Sequence, residues 1–416
     1  MAHSIENPVD GQRGQALWDR ADKVLPGGGI YLSRSADFAG RGVLPGFIAA
    51  AEGCRITDAD GRRYIDFLGA NGPNILGYRH PEVEAAVRRQ AELLTSASLF
   101  PPTLVEVVER LLAKFAGFSW GLMSKNGSEV VSLGARVARQ HTRRRGLITF
   151  DRAYHGSEPE LATSPQPGPL TELTSDVTRV AWNDAQALIE LARTHGDSFA
   201  AVLLNPLDQN PRLQTVAASV DFVAAIEQVR ERHGILVVFD DVRHGFRLHP
   251  DGSHRLLGLE PDLIALGKAL GNGHSISALL GRETVRRAAR KIFYTSTYMF
   301  EAPPMAAAMA VLDIYDRDAV FDHITRMGDR LRTGLAQAAA AHGHTISQTG
   351  PVTMPTLLFE GDADGARQRV FAREAAGRGA IFHPGLNWNL SAAHKAPDID
   401  EAIEIAAAAF AATPAG

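Results

Sequence analysis

The stretch Ile235–Gly273, ILVVFDDVRHGFRLHPDGSHRLLGLEPDLIALGKALGNG, decides how the chain is read. It opens on a continuous apolar run, Ile235 to Phe239, with the length and β-branched content of a strand buried on both faces of a sheet. That run delivers two carboxylates, Asp240 and Asp241. A second run, Leu263 to Leu266, delivers Gly267 and Lys268 in the same way. Ligand sites of open α/β sheets gather at the carboxyl ends of strands, so this acid and this amine can face one ligand. Each has a plainer reading when taken alone: Asp240 caps the turn after its strand, and Lys268 is a solvated surface charge.

Together they are what pyridoxal phosphate chemistry asks for. A lysine forms a Schiff base with the aldehyde, and an aspartate holds a proton on the pyridine nitrogen so that the ring can accept electrons. The strings VVFDDVRHGFR and PDLIALGKALGNG resemble two signature segments of the class III pyridoxal phosphate aminotransferases, in particular the glutamate-1-semialdehyde aminomutase branch. The resemblance implies that Asp240 binds the pyridine nitrogen, Val242 packs on the ring and Lys268 carries the cofactor. It also implies an α/β fold, the pyridoxal phosphate transferase fold type I. That fold has a mostly parallel seven-stranded sheet in a large domain and a smaller C-terminal α/β domain. The expected boundaries are an N-terminal segment over 1–60, the large domain over 61–310 and the small domain over 311–416.

Composition is that of an ordinary soluble globular protein, and the length suggests two domains. The chain has 416 residues, 45% hydrophobic and 22% charged, with a net charge of -4. That balance offers no counter-charge for nucleic acid or an anionic membrane, so neither is expected as a partner. The single cysteine, Cys54, cannot close an internal disulfide, and the polar start MAHSIENPVDGQRG has no secretory apolar core. The expected compartment is the cytoplasm. No apolar run reaches the roughly 20 residues that span a bilayer.

Other segments resemble the family in the right order. A helix is predicted from about Gln15 to Val24, ended by LPGGG; Arg34, a few residues beyond, stands where relatives bind a substrate carboxylate, although an exposed loop arginine reads equally well. CRITDADGRRYIDF reads as a hairpin turning at DADG. Asn71 follows, in a loop that borders the substrate side in relatives, at a position where the aminomutases usually carry tryptophan. SKNGSEVVSLGARVAR is a glycine-containing turn opening a helix, whose free N–H groups suit a phosphate; a plain N-cap at Ser128 would explain the string as well. The resemblance assigns phosphate binding to Gly127 and Ser128. It places Tyr154 of DRAYHG on the ring face opposite Val242, where the residues alone indicate a half-buried core aromatic. Asn205 replaces the glutamate usual in relatives. Ser296 and Thr297 align with residues that reach the phosphate of the neighbouring subunit, implying a homodimer with shared sites; strand hydroxyls paired across a ladder are the other reading.

His244, His249 and His254 recur every five residues in a stretch rich in proline and glycine, which is not the spacing of one helix face, so no metal is expected. The glycines of GKALGNG lack both the Walker order and the dinucleotide fingerprint. The expected activity is transfer of an amino group from an amine or ω-amino compound to a keto acid or aldehyde through Lys268. A 2,1-aminomutase and a racemase or epimerase use the same lysine. A non-catalytic protein that keeps the fold is the alternative of a different class. The changes at Asn71 and Asn205, with a shorter loop after Tyr154, favour the aminotransferase.

Overall fold

The computed structural model describes residues 9–26, 41–161, 175–208 and 214–415. The chain divides into two compact units, one of Met1–His80, Pro211–Gln214 and Asp322–Gly416, the other of Pro81–Asn210 and Thr215–Phe321. The first unit opens with α1 (Gln12–Val24), which buries Trp18 and Ala21. Strands β1 (Ile48–Glu52), β2 (Arg55–Asp58) and β3 (Arg63–Asp66) form an antiparallel meander. Its second turn is the predicted DADG. There Asp58 closes the turn through its own side chain, with Oδ1 accepting the N–H of Asp60 at 2.9 Å and of Arg62 at 2.8 Å.

The second unit carries the large sheet. Helices α2 (Pro81–Leu93) and α3 (Pro102–Lys114) lead into β4 (Trp120–Ser124), followed by α4 (Gly127–Thr142), β5 (Gly146–Phe150) and β6 (Val177–Val180). Then come α5 (Ala185–His195), β7 (Phe199–Leu204), α6 (Val220–His233), β8 (Leu236–Asp240) and β9 (Leu263–Leu266). The unit closes with β10 (Ser277–Gly281), α7 (Glu283–Ala289) and α8 (Ala302–Arg317). The strands lie in the order β4-β10-β9-β8-β7-β5-β6, and β10 alone runs antiparallel to both of its neighbours. This is the mostly parallel seven-stranded sheet that the resemblance implies.

Every residue of β5, β7, β8, β9 and β10 is buried, which is why these strands read as unbroken apolar runs without alternation. Each buried Val, Leu or Ile side chain contributes on the order of 1.5–3 kcal/mol of transfer free energy. Helix α4 lies so close to the sheet that a Cβ on Gly134 would stand 2.8 Å from Val238 Cγ1. Only a residue without a side chain lets the helix seat there.

The first unit resumes with α9 (Val320–Ala341), the antiparallel pair β11 (Ile346–Thr349) and β12 (Thr356–Phe359), α10 (Ala366–Gly377), β13 (Ala380–Ile381) and α11 (Ala396–Ala412). β13 returns to lie parallel to β3. No helix among the described residues is long and apolar enough to cross a membrane.

Candidate active site

Strands β8 and β9 are parallel neighbours with Asp240 opposite Ala265, so the carboxylate at the end of one lies beside the strand that delivers Lys268. Lys268 starts a tight turn, Lys268–Gly271, with φ at +42°, a region costly for a residue with a side chain. Strained backbone of this kind persists where surrounding structure enforces it, and it concentrates at functional sites.

Asp240 is 4% exposed and fully engaged. Its Oδ2 lies 2.9 Å from His155 Nδ1, and its Oδ1 accepts the N–H of Val242 at 3.2 Å. An ionised carboxylate only accepts, so Nδ1 of His155 carries the proton. Asn205 Nδ2 donates to the carbonyl of Asp240 at 3.2 Å. His155 and Asn205 come from the loops after β5 and β7, so three neighbouring strand ends of the sheet meet at Asp240, the histidine on its carboxylate and the asparagine on its backbone. Asn205 thereby braces the backbone of Asp240, a task its position in the sequence did not reveal.

Val242 ties the remaining pieces together. A Cβ built on Gly127 would meet Val242 Cγ1 at 2.7 Å, and one on Gly267 would meet the same atom at 3.2 Å. The valine side chain is therefore lodged between the start of α4 and the residue before Lys268. Ser128 sits in the first turn of α4, its Oγ accepting the N–H of Ser157 at 3.0 Å. The cap of α4 is not Ser128: Asn126 holds it, its Oδ1 accepting the N–H of Glu129 at 3.0 Å. Ser128 is thus free of capping duty at a helix end whose first N–H groups have no intrahelical partner.

Gly156 presses on that serine. Its φ is +107°, and a Cβ there would lie 2.6 Å from Ser128 Oγ and from Ser128 Cα. Gly156→Ala is expected to displace Ser128 and destabilise the fold by roughly 1–3 kcal/mol, with weaker retention of a phosphorylated ligand. A thermal melt beside a pyridoxal phosphate titration checks this; an unchanged titration would mean that Ser128 needs no such support.

Tyr154, beside His155, is 56% exposed, which departs from a half-buried core aromatic. Partial burial and then the negative charge of Asp240 raise its phenol above the usual range. Burial pushes Asp241 up to about 7, opposed by the Ser253 N–H that its Oδ2 accepts at 2.8 Å. Burial, then the charges of Arg243, Lys268 and Arg247, hold His244 well below the usual imidazole range, so it is neutral. Among the described residues no group of His, Cys, Asp and Glu could hold a metal.

Ser296 and Thr297 occupy a turn, with the N–H of Met299 bonded to Ser296 O at 3.2 Å, so they are not strand hydroxyls in a ladder. Asn71 belongs to the first unit, at φ +67°, with a buried Oδ1 that has no partner among the described residues. Arg34, and residues 162–174 of the loop after Tyr154, lie outside the described residues.

The groups gathered in the second unit fit pyridoxal phosphate. A buried, twice-anchored carboxylate suits a ring N–H, the helix start with Ser128 suits a phosphate, and Lys268 supplies the amine. Comparison with known proteins agrees. Residues 38–379 match the model of the family described as aminotransferase class-III. The aminopentol aminotransferase of Sphingopyxis macrogoltabida is 36% identical, covering 97% of this chain and 95% of the relative. The glutamate-1-semialdehyde 2,1-aminomutase of Symbiobacterium thermophilum is 31% identical, covering 96% and 98%. The FumI protein of Sphingopyxis sp. MTA144, solved in its PLP internal aldimine form, superposes with a TM-score of 0.93 at 36% identity, covering 97% of this chain and 96% of that one. The chain belongs to the class III aminotransferases. Its cofactor is pyridoxal phosphate.

Proposed function

We propose that this aminotransferase takes the amino group of an amine or ω-amino compound and passes it to a keto acid or aldehyde, with Lys268 and Asp240 as the catalytic residues. Pyridoxal phosphate supplies the aldehyde and the electron-accepting ring. With the cofactor bound, the amine of Lys268 would take the proton from the substrate carbon and hold it for return. Asp240, held by His155, keeps a ring N–H protonated. Gly127 and Ser128 hold the phosphate, Tyr154 and Val242 flank the ring, and Arg34 and Asn71 border the substrate. The carrying observation is the buried Asp240 carboxylate, fixed by His155 at 2.9 Å beside the strand that leads to Lys268.

The name of the 36% identical relative, an aminopentol aminotransferase, supports an amine as donor. The aminomutases at similar coverage support a second reading, in which the amine returns to a neighbouring carbon of the same molecule. Addition of an amine without acceptor is expected to bleach the visible band of the lysine-bound cofactor, and pyruvate or 2-oxoglutarate to restore it with formation of alanine or glutamate. A positional isomer formed from glutamate-1-semialdehyde with no acceptor consumed would establish the aminomutase instead.

The working unit in this reading is a homodimer in the cytoplasm, with Ser296 and Thr297 offered to the neighbouring site. Exposed Phe293, Tyr298, Leu99 and Phe100, at 83%, 62%, 80% and 71%, support an apolar face around that turn. The reading keeps a cofactor domain over 61–310 and a small domain over 311–416.

A further inference from the structure

Lys125 precedes the phosphate cradle and has no part in the assignments above, yet it joins three segments. Its Nζ donates to Glu301 Oε2 at 2.7 Å and to the carbonyl of Ser275 at 3.5 Å, while its own carbonyl accepts from Ser275 Oγ at 2.9 Å. Its N–H reaches Glu129 Oε2 at 3.2 Å. Ser275 lies shortly beyond the Lys268 turn, and two residues further on, at the first position of β10, Ser277 Oγ donates to Asn126 O at 3.0 Å. Glu301 is the residue before α8 and ends the stretch that carries Ser296 and Thr297. The start of that stretch is tied as well: Tyr294 Oη lies 2.5 Å from Ser124 Oγ, the residue before Lys125. The turn bearing Ser296 and Thr297 is therefore pinned at both ends to the two residues that lead into the cradle.

We infer that Lys125, with Glu301 as its counter-ion, is a positioning residue for the cofactor phosphate: it locks the Asn126–Ser128 cradle, the segment after Lys268 and the Tyr294–Glu301 arch in one arrangement. This rests on the assignment of Gly127, Ser128, Ser296 and Thr297 to phosphate binding. Lys125 touches none of the reacting atoms in this scheme. The Lys125 side chain is 12% exposed and that of Glu301 35%, so the pair is shielded from water and stronger than a surface ion pair. Loss of Lys125 leaves the Glu301 carboxylate without its cation, loss of Glu301 leaves the lysine with only the long contact to the Ser275 carbonyl, and either releases the arch at its Glu301 end.

The test uses full-length holoenzyme and apoenzyme of wild type, Lys125→Met, Glu301→Gln, the double variant and Lys125→Arg. Cofactor retention is read from absorbance titrations with pyridoxal phosphate and from its rate of loss on dilution. Stability is read as the Tm of the apoenzyme and the rise in Tm that the cofactor produces. Each single loss is expected to weaken retention roughly tenfold, the double variant to be little worse than either, and Lys125→Arg to stay within about twofold of wild type. The Tm rise should shrink in the same variants while the wavelength of the visible band stays put. Retention within twofold of wild type in Lys125→Met overturns the inference. So does a fall in apoenzyme Tm with an unchanged cofactor-induced rise, which is what a merely structural pair would show. Should wild type itself develop neither the band nor a Tm rise, the cofactor assignment of these residues falls with it.

Discussion

Lys268→Ala should lower turnover by at least about 10⁴-fold and abolish the visible absorption of the lysine-bound cofactor, because nucleophile and proton carrier are removed in one substitution. The fold should survive. Position 268 already holds a side-chain-bearing residue at φ +42°, so alanine there carries the same backbone strain. Neighbouring Ala269, Leu270 and Gly271 are buried and keep the turn in place. Circular dichroism and a melt close to wild type, together with a colourless protein, are the expected outcome. Added methylamine should restore a measurable fraction of turnover, since a small amine can act where the side chain stood. Lys268→Arg should not rescue, because a guanidinium stays protonated and cannot act as the base. Turnover of Lys268→Ala above a few per cent of wild type would remove this lysine from the chemistry.

How far the site could be read from sequence follows from which contacts are local. The central strands were legible because burial on both faces leaves no polar alternation, and β9 spans the predicted Leu263–Leu266. The first helix and the DADG hairpin were legible through period and turn chemistry. Helix α8 begins at Ala302, where Pro303 and Pro304 fill first-turn positions at which no N–H is needed. The cap of α4 at Asn126 in place of Ser128 is a local shift. His155 was missed for another reason. Its partner Asp240 is 85 positions away, and nothing in DRAYHG says that the imidazole turns inward while Tyr154 stays exposed. Lys125 was missed likewise: its ties to Ser275 and Glu301 span 150 and 176 positions.

Asp240→Asn is the sharper probe of the electrostatics, with an expected loss of about 10²–10⁴-fold in turnover and retention of the cofactor. Asparagine preserves shape: its Oδ1 can accept from Val242 N–H, and its NH2 can donate to His155 Nδ1 once the imidazole takes its other tautomer, so neither is left unanswered in the buried pocket. Alanine would leave that imidazole N–H with no partner at a cost of about 1–3 kcal/mol, and would mix a folding defect with a catalytic one. What asparagine cannot do is carry the negative charge that holds a proton on the ring nitrogen, and without that proton the ring is a poorer acceptor of the carbanion's electrons. The defect should therefore appear in proton abstraction, as a slowed bleaching of the visible band by amine donor and a larger isotope effect with α-deuterated donor. His155→Asn should show the same signature at smaller size, roughly 10–100-fold, because the carboxylate keeps its charge and loses only its orientation. The order Asp240→Asn worse than His155→Asn is the discriminating result. If His155→Asn were the more damaging of the two, the imidazole would be acting on substrate or cofactor itself, and the carboxylate would be its support.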